Sequence, residues 1–168
     1  DTFLLPGFTK TYFTTPAAFE PSSAVGYFQL VSYIFGHKDF QHLSANFLLI
    51  LLVGPIVEER YGSAKLLLMV LTTALVTAIA TLGIFHYNIL GASGIVFLLV
   101  ILSSITGKTQ NSKKLVIPLT FVLVFSMYFG SELIASFQKD TISHFGHLAG
   151  GAFGALFGFI IRPKVPGK

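Results

Sequence analysis

The sequence predicts an all-α fold, a polytopic bundle of five transmembrane helices. Of its 168 residues, 53% are hydrophobic and 11% are charged, whereas a soluble domain carries about 25% charged residues. The mean hydropathy is +0.76. Short polar segments separate the apolar runs, and the last run has a glycine at every fourth position, Gly146, Gly150, Gly154 and Gly158. Residues four apart share one helix face, and a face of glycines lets another membrane helix approach closely.

Charge and cysteine content limit the class of function. The net charge of +4 is small, and basic residues are expected in the cytoplasmic loops of membrane proteins. The sequence therefore predicts the lipid bilayer as a partner, and no nucleic acid. It contains no cysteine, which rules out a disulfide and a thiolate metal site.

Residues 1–41 are predicted to form an outer loop region. Residues 1–26 are rich in Phe, Pro, Thr and Ser, and they hold no apolar run of the roughly 20 residues that cross a bilayer. Residues 27–36 are apolar but short. Two alternatives remain open. The region is either an ordered loop outside the membrane or a segment half-embedded in it, an arrangement that suits its many aromatic side chains.

Five spans follow and make residues 42–161 a five-helix bundle, within one membrane domain that covers residues 1–168. The charged segment 58–63 ends the first span, and Arg162 and Pro163 end the fifth. Residues 162–168 are predicted to form a cytoplasmic tail. The predicted spans cover residues 42–57, 66–85, 89–104, 115–137 and 142–161.

The basic residues predict the orientation of the bundle. With alternating spans, eight of them fall on one side of the membrane and three on the other. The richer side is cytoplasmic by the positive-inside rule, so residues 1–41, 86–92 and 138–141 face outward. The eight are Arg60, Lys65, Lys108, Lys113, Lys114, Arg162, Lys164 and Lys168, and the three are Lys10, Lys38 and Lys139.

Four polar residues lie inside the outer part of predicted spans, where such groups are costly and usually functional. They are His42, Asn46, Ser93 and His147. A neutral imidazole near pH 7 can take the proton of a serine hydroxyl and so activate it as a nucleophile. Acyl transfer also needs donors for the oxyanion, which His42, Asn46 and the Ser93 amide would supply. No acidic residue is close to His147 in sequence, so a Ser–His dyad is predicted rather than a triad.

The same residues also admit other interpretations. A serine in a membrane helix commonly bonds to a carbonyl one turn back, and a glycine face commonly serves packing alone. Metal binding by His42, His144 and His147 would lack an acidic ligand, so no metal is predicted. A transporter or channel would need a polar stripe across the whole membrane, whereas these residues stop near its outer third.

Taken together, the motifs resemble those of the rhomboid family of intramembrane serine proteases over residues 30–161. His42 to Asn46 is similar to the family's H-x-x-x-N, and Val57 to Ser63 to its E-x-R segment with a following Gly-Ser. Gly91 to Gly94 is similar to G-x-S-G, and His147 to Gly154 to H-x-x-G-x-x-x-G. All four occur in the family's order, each at the expected end of a span.

The resemblance implies roles for these positions. Ser93 is expected to be the nucleophile and His147 the general base. His42 and Asn46, with the Ser93 amide, are expected to form the oxyanion hole, and Gly91 to line the oxyanion or substrate-binding site.

Other positions take roles from the same resemblance. Glu58 and Arg60 are expected to tie loops on the cytoplasmic side, and His37 to be structural or to handle water. The helix at 115–137 is expected to gate substrate entry, with its gate lined by Phe121, Phe125, Tyr128 and Phe129.

Two features depart from the family pattern. Rhomboids commonly have six spans, and five are found here. Either a first span precedes residue 1, which is the expectation, or residues 27–36 insert more deeply into the membrane. Phe97 stands one turn below Ser93, where the family often has a tyrosine that packs on the catalytic histidine. A phenylalanine can stack there but cannot donate a hydrogen bond.

The predicted function is an intramembrane serine endopeptidase that needs no cofactor and cleaves transmembrane or membrane-proximal segments of membrane-protein substrates. The expected location is a bacterial plasma (inner) membrane, with the active site towards the outer side. The alternative is a catalytically inactive rhomboid-like protein that binds membrane clients without cutting them.

Overall fold

The computed structural model describes residues 7–16, 18–85, 88–105 and 144–161, together with positions 119, 122, 123, 126, 127 and 163. The regular secondary structure of these residues is helical, with no strand, so the predicted all-α fold is confirmed. The helices are α1 (Phe8–Tyr12), α2 (Ala24–Ser32), α3 (Phe40–Tyr61), α4 (Ser63–Ala80), α5 (Ser93–Ser104) and α6 (His144–Ile160).

Two of the described helices are long and apolar enough to cross a membrane. They are Phe40–Tyr61 and Ser63–Ile84, each of 22 residues, with mean hydropathies of 1.7 and 2.2. The apolar helices Ala24–Phe35, Ser93–Ser104 and Phe145–Ile160 are shorter. The predicted fourth span, 115–137, and the predicted tail, 162–168, lie almost wholly outside the described residues.

The first span is longer at both ends than the sequence predicts. Helix α3 begins at Phe40 because Asp39 caps it: its Oδ1 accepts a hydrogen bond from the His42 amide at 2.7 Å. At the other end the helix continues through the charged residues after Val57 and stops at Gly62, whose φ of 85° breaks the helical path. Glutamate and arginine favour helix, so these charges extend α3 instead of ending it.

The third span is shorter than predicted at its start. Residues 89–92 are not helical, and α5 begins at Ser93. The second span runs on beyond α4 through a π-helical turn at Thr81–Phe85.

Residues 7–16 and 18–36, predicted as part of a loop region, contain two helices that pack on each other. A short 3-10 turn, Tyr33–Phe35, follows α2. The Gln29 amide donates to the Thr11 carbonyl at 2.8 Å, and the Ser32 hydroxyl donates to the Tyr12 carbonyl at 2.5 Å. These bonds fasten α2 to the segment before it, and α2 packs in turn on α4.

Helix α5 lies at the centre of the bundle. Leu98 and Leu102 are fully buried, and α5 packs on α3, α4 and, most extensively, α6. By contrast, Leu48 on α3 is 67% exposed and Leu68 on α4 is 62% exposed. A buried apolar helix surrounded by helices with apolar outer faces is the arrangement expected when lipid surrounds the bundle.

Candidate active site

Backbone contact between α5 and α6 positions the candidate site. A Cβ added at Gly94 would lie 2.9 Å from the Gly146 carbonyl oxygen, and one added at Gly150 would overlap the Gly94 carbonyl. Only residues without side chains let the two helices come this close. Ser93 precedes Gly94 and His147 follows Gly146, so the contact brings the ends of the two helices that carry them side by side.

The glycine face differs in one detail from the sequence-based expectation. Helical geometry suggests that Gly151, Gly154 and Gly158 point in nearly the same direction as His147. In the structure, a Cβ at Gly154 would lie 2.9 Å from both the Ile101 Cβ and the Leu98 carbonyl oxygen, and one at Gly158 would overlap Ile105. A Cβ at Gly151 would find its nearest neighbour only at 4.0 Å. That neighbour is Ile101 of α5, so the tightest contacts with α5 follow the four-residue repeat, and Gly151 faces α5 with room for a methyl group.

The imidazole of His147 lies flat against the ring of Phe97. The ring centroids are 4.7 Å apart and the planes differ by 6°. The stacking expected for a phenylalanine at this position is thus confirmed. An aromatic pair of this kind contributes about 0.5–1.5 kcal/mol beyond the burial of its area, and here it holds the plane of the imidazole.

Ser93 is the first residue of α5 and is half-buried. The first amides of a helix have no acceptor within it, and the helix dipole favours negative charge at that end. The helix start is therefore a suitable place for an oxygen that becomes negative during a reaction.

His42 lies against the loop that leads into Ser93. Gly91 in that loop has a φ of +116°, and a Cβ there would lie 2.8 Å from His42 Cε1 and 3.0 Å from His42 Nε2. An L-residue side chain is unfavourable at this φ and would collide with the ring. His42 and Gly91, each predicted for the oxyanion or substrate-binding site, are thus in contact.

Asn46 lies one turn after His42 on α3 and is only 6% exposed. Its Nδ2, and the Nδ1 of His42, are buried with no hydrogen-bond partner in the part of the chain that the structure describes. Buried polar atoms are normally satisfied, so such exceptions need an explanation. His42 lies against Gly91, two residues before Ser93, and Gly146 lies against Gly94. The starts of α3, α5 and α6, which carry the predicted quartet, therefore lie next to one another.

His37 adjoins this group from outside the predicted spans. Its ring meets that of His42 edge to face, with centroids 5.0 Å apart, and its Nδ1 lies 3.1 Å from the Phe35 carbonyl oxygen. Burial lowers the pKa of His37, against the opposing influence of that carbonyl and of Asp39. A neutral ring that packs on His42 fits the structural role that the resemblance implies.

The acidic residue of the E-x-R segment lies at the other end of α3. The Ser63 hydroxyl donates to Glu58 Oε1 at 2.6 Å, across the turn between α3 and α4. This bond agrees with the structural role expected for Glu58. Among the described residues, no group of three or more His, Cys, Asp or Glu side chains could hold a metal ion.

Two residues near the site were not identified from the sequence. The carbonyl of Tyr33 accepts a hydrogen bond from the Gly91 amide at 2.9 Å, and its hydroxyl donates to the Ala74 carbonyl of α4 at 3.1 Å. Thr15 bonds to the same loop. The Tyr33–Ala74 bond joins residues 41 positions apart and the Thr15–Ile89 bond joins residues 74 positions apart, and no periodic pattern in the sequence predicts them.

A family model for the rhomboid domain matches residues 25–164. The chain belongs to the rhomboid family. It is therefore an integral membrane protein.

Several rhomboid relatives resemble this chain at low identity. "Rhomboid protease GluP" of Bacillus subtilis is 28% identical over 134 residues, which cover 77% of this chain and 25% of that protein. "RHOMBOID-like protein 4" of Arabidopsis thaliana is 32% identical over 76% of this chain and 32% of its own length. "Rhomboid-like protein 11, chloroplastic" of the same plant is 25% identical over 80% of this chain and 52% of its own. The chain thus spans between a quarter and about half of the length of these relatives.

Proposed function

We propose that this rhomboid protein is an intramembrane serine endopeptidase in which Ser93 is the nucleophile and His147 the general base. The observation that carries the proposal is the close α5–α6 contact, which brings the helix ends bearing these residues together while Phe97 holds the imidazole plane. One of the relatives is named as a protease, which supports the same reaction class.

The reaction follows from the chemistry of these groups. His147 removes the Ser93 proton as Oγ attacks the peptide carbonyl, and the carbonyl oxygen becomes negative. The Ser93 amide, His42 and Asn46 donate to that oxygen, which gives the buried Asn46 Nδ2 a partner. The imidazolium then protonates the leaving amine as the C–N bond breaks. A water molecule, deprotonated by His147, hydrolyses the acyl-enzyme and restores Ser93.

The substrates in this proposal are transmembrane or membrane-proximal segments of other membrane proteins. The lipid-facing exposure of α3 and α4 supports entry from the bilayer. The charge bias of the loops supports a site that opens towards the outer side, and a bacterial plasma membrane is the location that we propose.

Fluorophosphonate labelling and cleavage of a helical reporter test this function. The purified protein should label and cleave, while Ser93→Ala and His147→Ala should each abolish both without loss of folding. Ser103→Ala is a matched control, because Ser103 lies on the same helix and its hydroxyl donates to the Val100 carbonyl at 2.8 Å. Cleavage retained by Ser93→Ala would refute the mechanism. An unlabelled, folded wild-type protein would favour the client-binding alternative.

A further inference from the structure

Thr15 makes a compact set of hydrogen bonds to the loop before the candidate nucleophile. Its amide donates to the Ile89 carbonyl at 2.9 Å, and its Oγ1 accepts from the Ile89 amide at 2.8 Å. The Asn88 side-chain amide donates to the Thr15 carbonyl. A single threonine therefore satisfies both backbone polar groups of Ile89.

The burial of this arrangement makes each bond matter. Thr15 is 0% exposed and Ile89 is 5% exposed. A buried amide that loses its acceptor incurs the full cost of desolvation, which is larger than the net gain of an ordinary hydrogen bond. Removal of the Thr15 hydroxyl therefore either leaves the Ile89 amide buried without this acceptor or moves the loop.

The same loop is held at a second point two residues later. The Gly91 amide donates to the Tyr33 carbonyl, and Gly91 keeps its φ of +116° against the His42 ring. Ser93 starts α5 two residues beyond. A shift of the loop at Ile89 therefore reaches the start of α5 within four residues, where the proposed nucleophile and its amide lie.

We propose that Thr15 is a positioning residue, which fixes the loop 88–92 and through it aligns the Ser93 hydroxyl and amide for reaction. This inference rests on the proposed protease function. Thr15 would thus affect the chemical step although it touches no reacting atom. The physical basis is the sensitivity of catalysis to small displacements of the reacting groups.

The test compares Thr15→Val, which keeps the shape and loses the hydroxyl, with Thr15→Ser, which keeps the hydroxyl. Thr14→Val is the matched control: Thr14 is also buried, at 6% exposure, but its hydroxyl donates to the Thr9 carbonyl within its own segment, at 3.1 Å. The measurements are the rate of fluorophosphonate labelling, kcat and KM for a reporter, and hydrogen exchange of the amides in residues 88–92.

Thr15→Val should lower the labelling rate and kcat by about 10- to 100-fold with little change in KM, because the loss lies in the alignment of reacting groups. The Ile89 amide should exchange faster. Thr15→Ser should restore most of the rate, and Thr14→Val should behave as the wild type. Asn88→Ala, at an exposed position, removes the bond to the Thr15 carbonyl and keeps the Thr15 hydroxyl. It should lower kcat by a smaller factor than Thr15→Val.

Several results would overturn the proposal. A labelled wild type with an equally reactive Thr15→Val would refute the positioning role while leaving the protease function intact. Equal losses of kcat in Thr14→Val and Thr15→Val would also refute it. If Thr15→Val does not fold, a labelling rate in Asn88→Ala equal to that of the wild type would refute it as well. An unlabelled wild type would refute the protease function itself, and with it any role of Thr15 in the reaction.

Discussion

Adding one methyl group at Gly150 should separate the two helices that carry the proposed dyad. In Gly150→Ala, the new Cβ would lie 2.7 Å from the Gly94 carbonyl carbon and 2.9 Å from its Cα, whereas ordinary contacts begin at 3.4 Å. The carbonyl oxygen is closer still. Both sides of the contact are helix backbone, so no side chain can rotate away, and α6 must move from α5 by more than half an ångström.

The expected magnitude follows from this displacement. A misplacement of about 1 Å can cost a hundredfold in rate, which corresponds to about 2.7 kcal/mol in the activation free energy. Overpacking costs about 1–3 kcal/mol of stability, but alanine gains up to about 1 kcal/mol over glycine in a helix interior. The free energy of unfolding should therefore fall by less than the activation free energy rises.

Gly151→Ala is the matched control, because its Cβ would find its nearest neighbour at 4.0 Å. Both variants should be assayed for reporter cleavage, fluorophosphonate labelling and thermal unfolding in the same detergent. We expect Gly150→Ala to lose about a hundredfold in kcat/KM and Gly151→Ala to stay near the wild type. Full activity in Gly150→Ala, or an equal loss in Gly151→Ala, would refute the reasoning.

Two further variants probe separate parts of the bundle. Phe97→Leu should lower kcat about 2- to 10-fold, because the ring stacked on His147 contributes about 0.5–1.5 kcal/mol. Phe97→Tyr should keep both the stacked ring and the rate. Equal rates in the two variants would contradict this role of Phe97. Ser63→Ala should lower the free energy of unfolding by about 1 kcal/mol or less, because it removes an exposed hydrogen bond to Glu58. Its fluorophosphonate labelling should be unchanged. A loss of labelling would show that the α3–α4 turn affects the site.

Much of the fold and candidate site could be predicted because helical periodicity shows which residues share a helix face. The four-residue spacing of His42 and Asn46, and that of the glycines from Gly146 onwards, place residues on shared faces without any knowledge of tertiary structure. The angle around one helix does not show how close its neighbour comes: Gly151 faces Ile101 of α5 at 4.0 Å, whereas Gly150 lies against the α5 backbone.

Other features depend on contacts that no local pattern records. The charges after Val57 suggest a helix end, yet the end is set by the backbone of Gly62. Thr15 and Tyr33 lie in a segment that has no apolar run long enough to cross a membrane. Their hydrogen-bond partners in the loop 88–92 are distant in sequence. Only the folded chain shows that this segment adjoins the start of α5.

The contact between α5 and α6 also has a consequence for how this protein can vary. Its spacing is set by main-chain atoms of Gly94, Gly146 and Gly150, which have no rotamers to change. Substitutions on the lipid-facing sides of α3 and α4 can therefore accumulate, as membranes of different composition require, without altering the distance between α5 and α6. The part of the bundle that meets the bilayer is free to diverge, while the part that aligns the reacting groups tolerates almost no added atom.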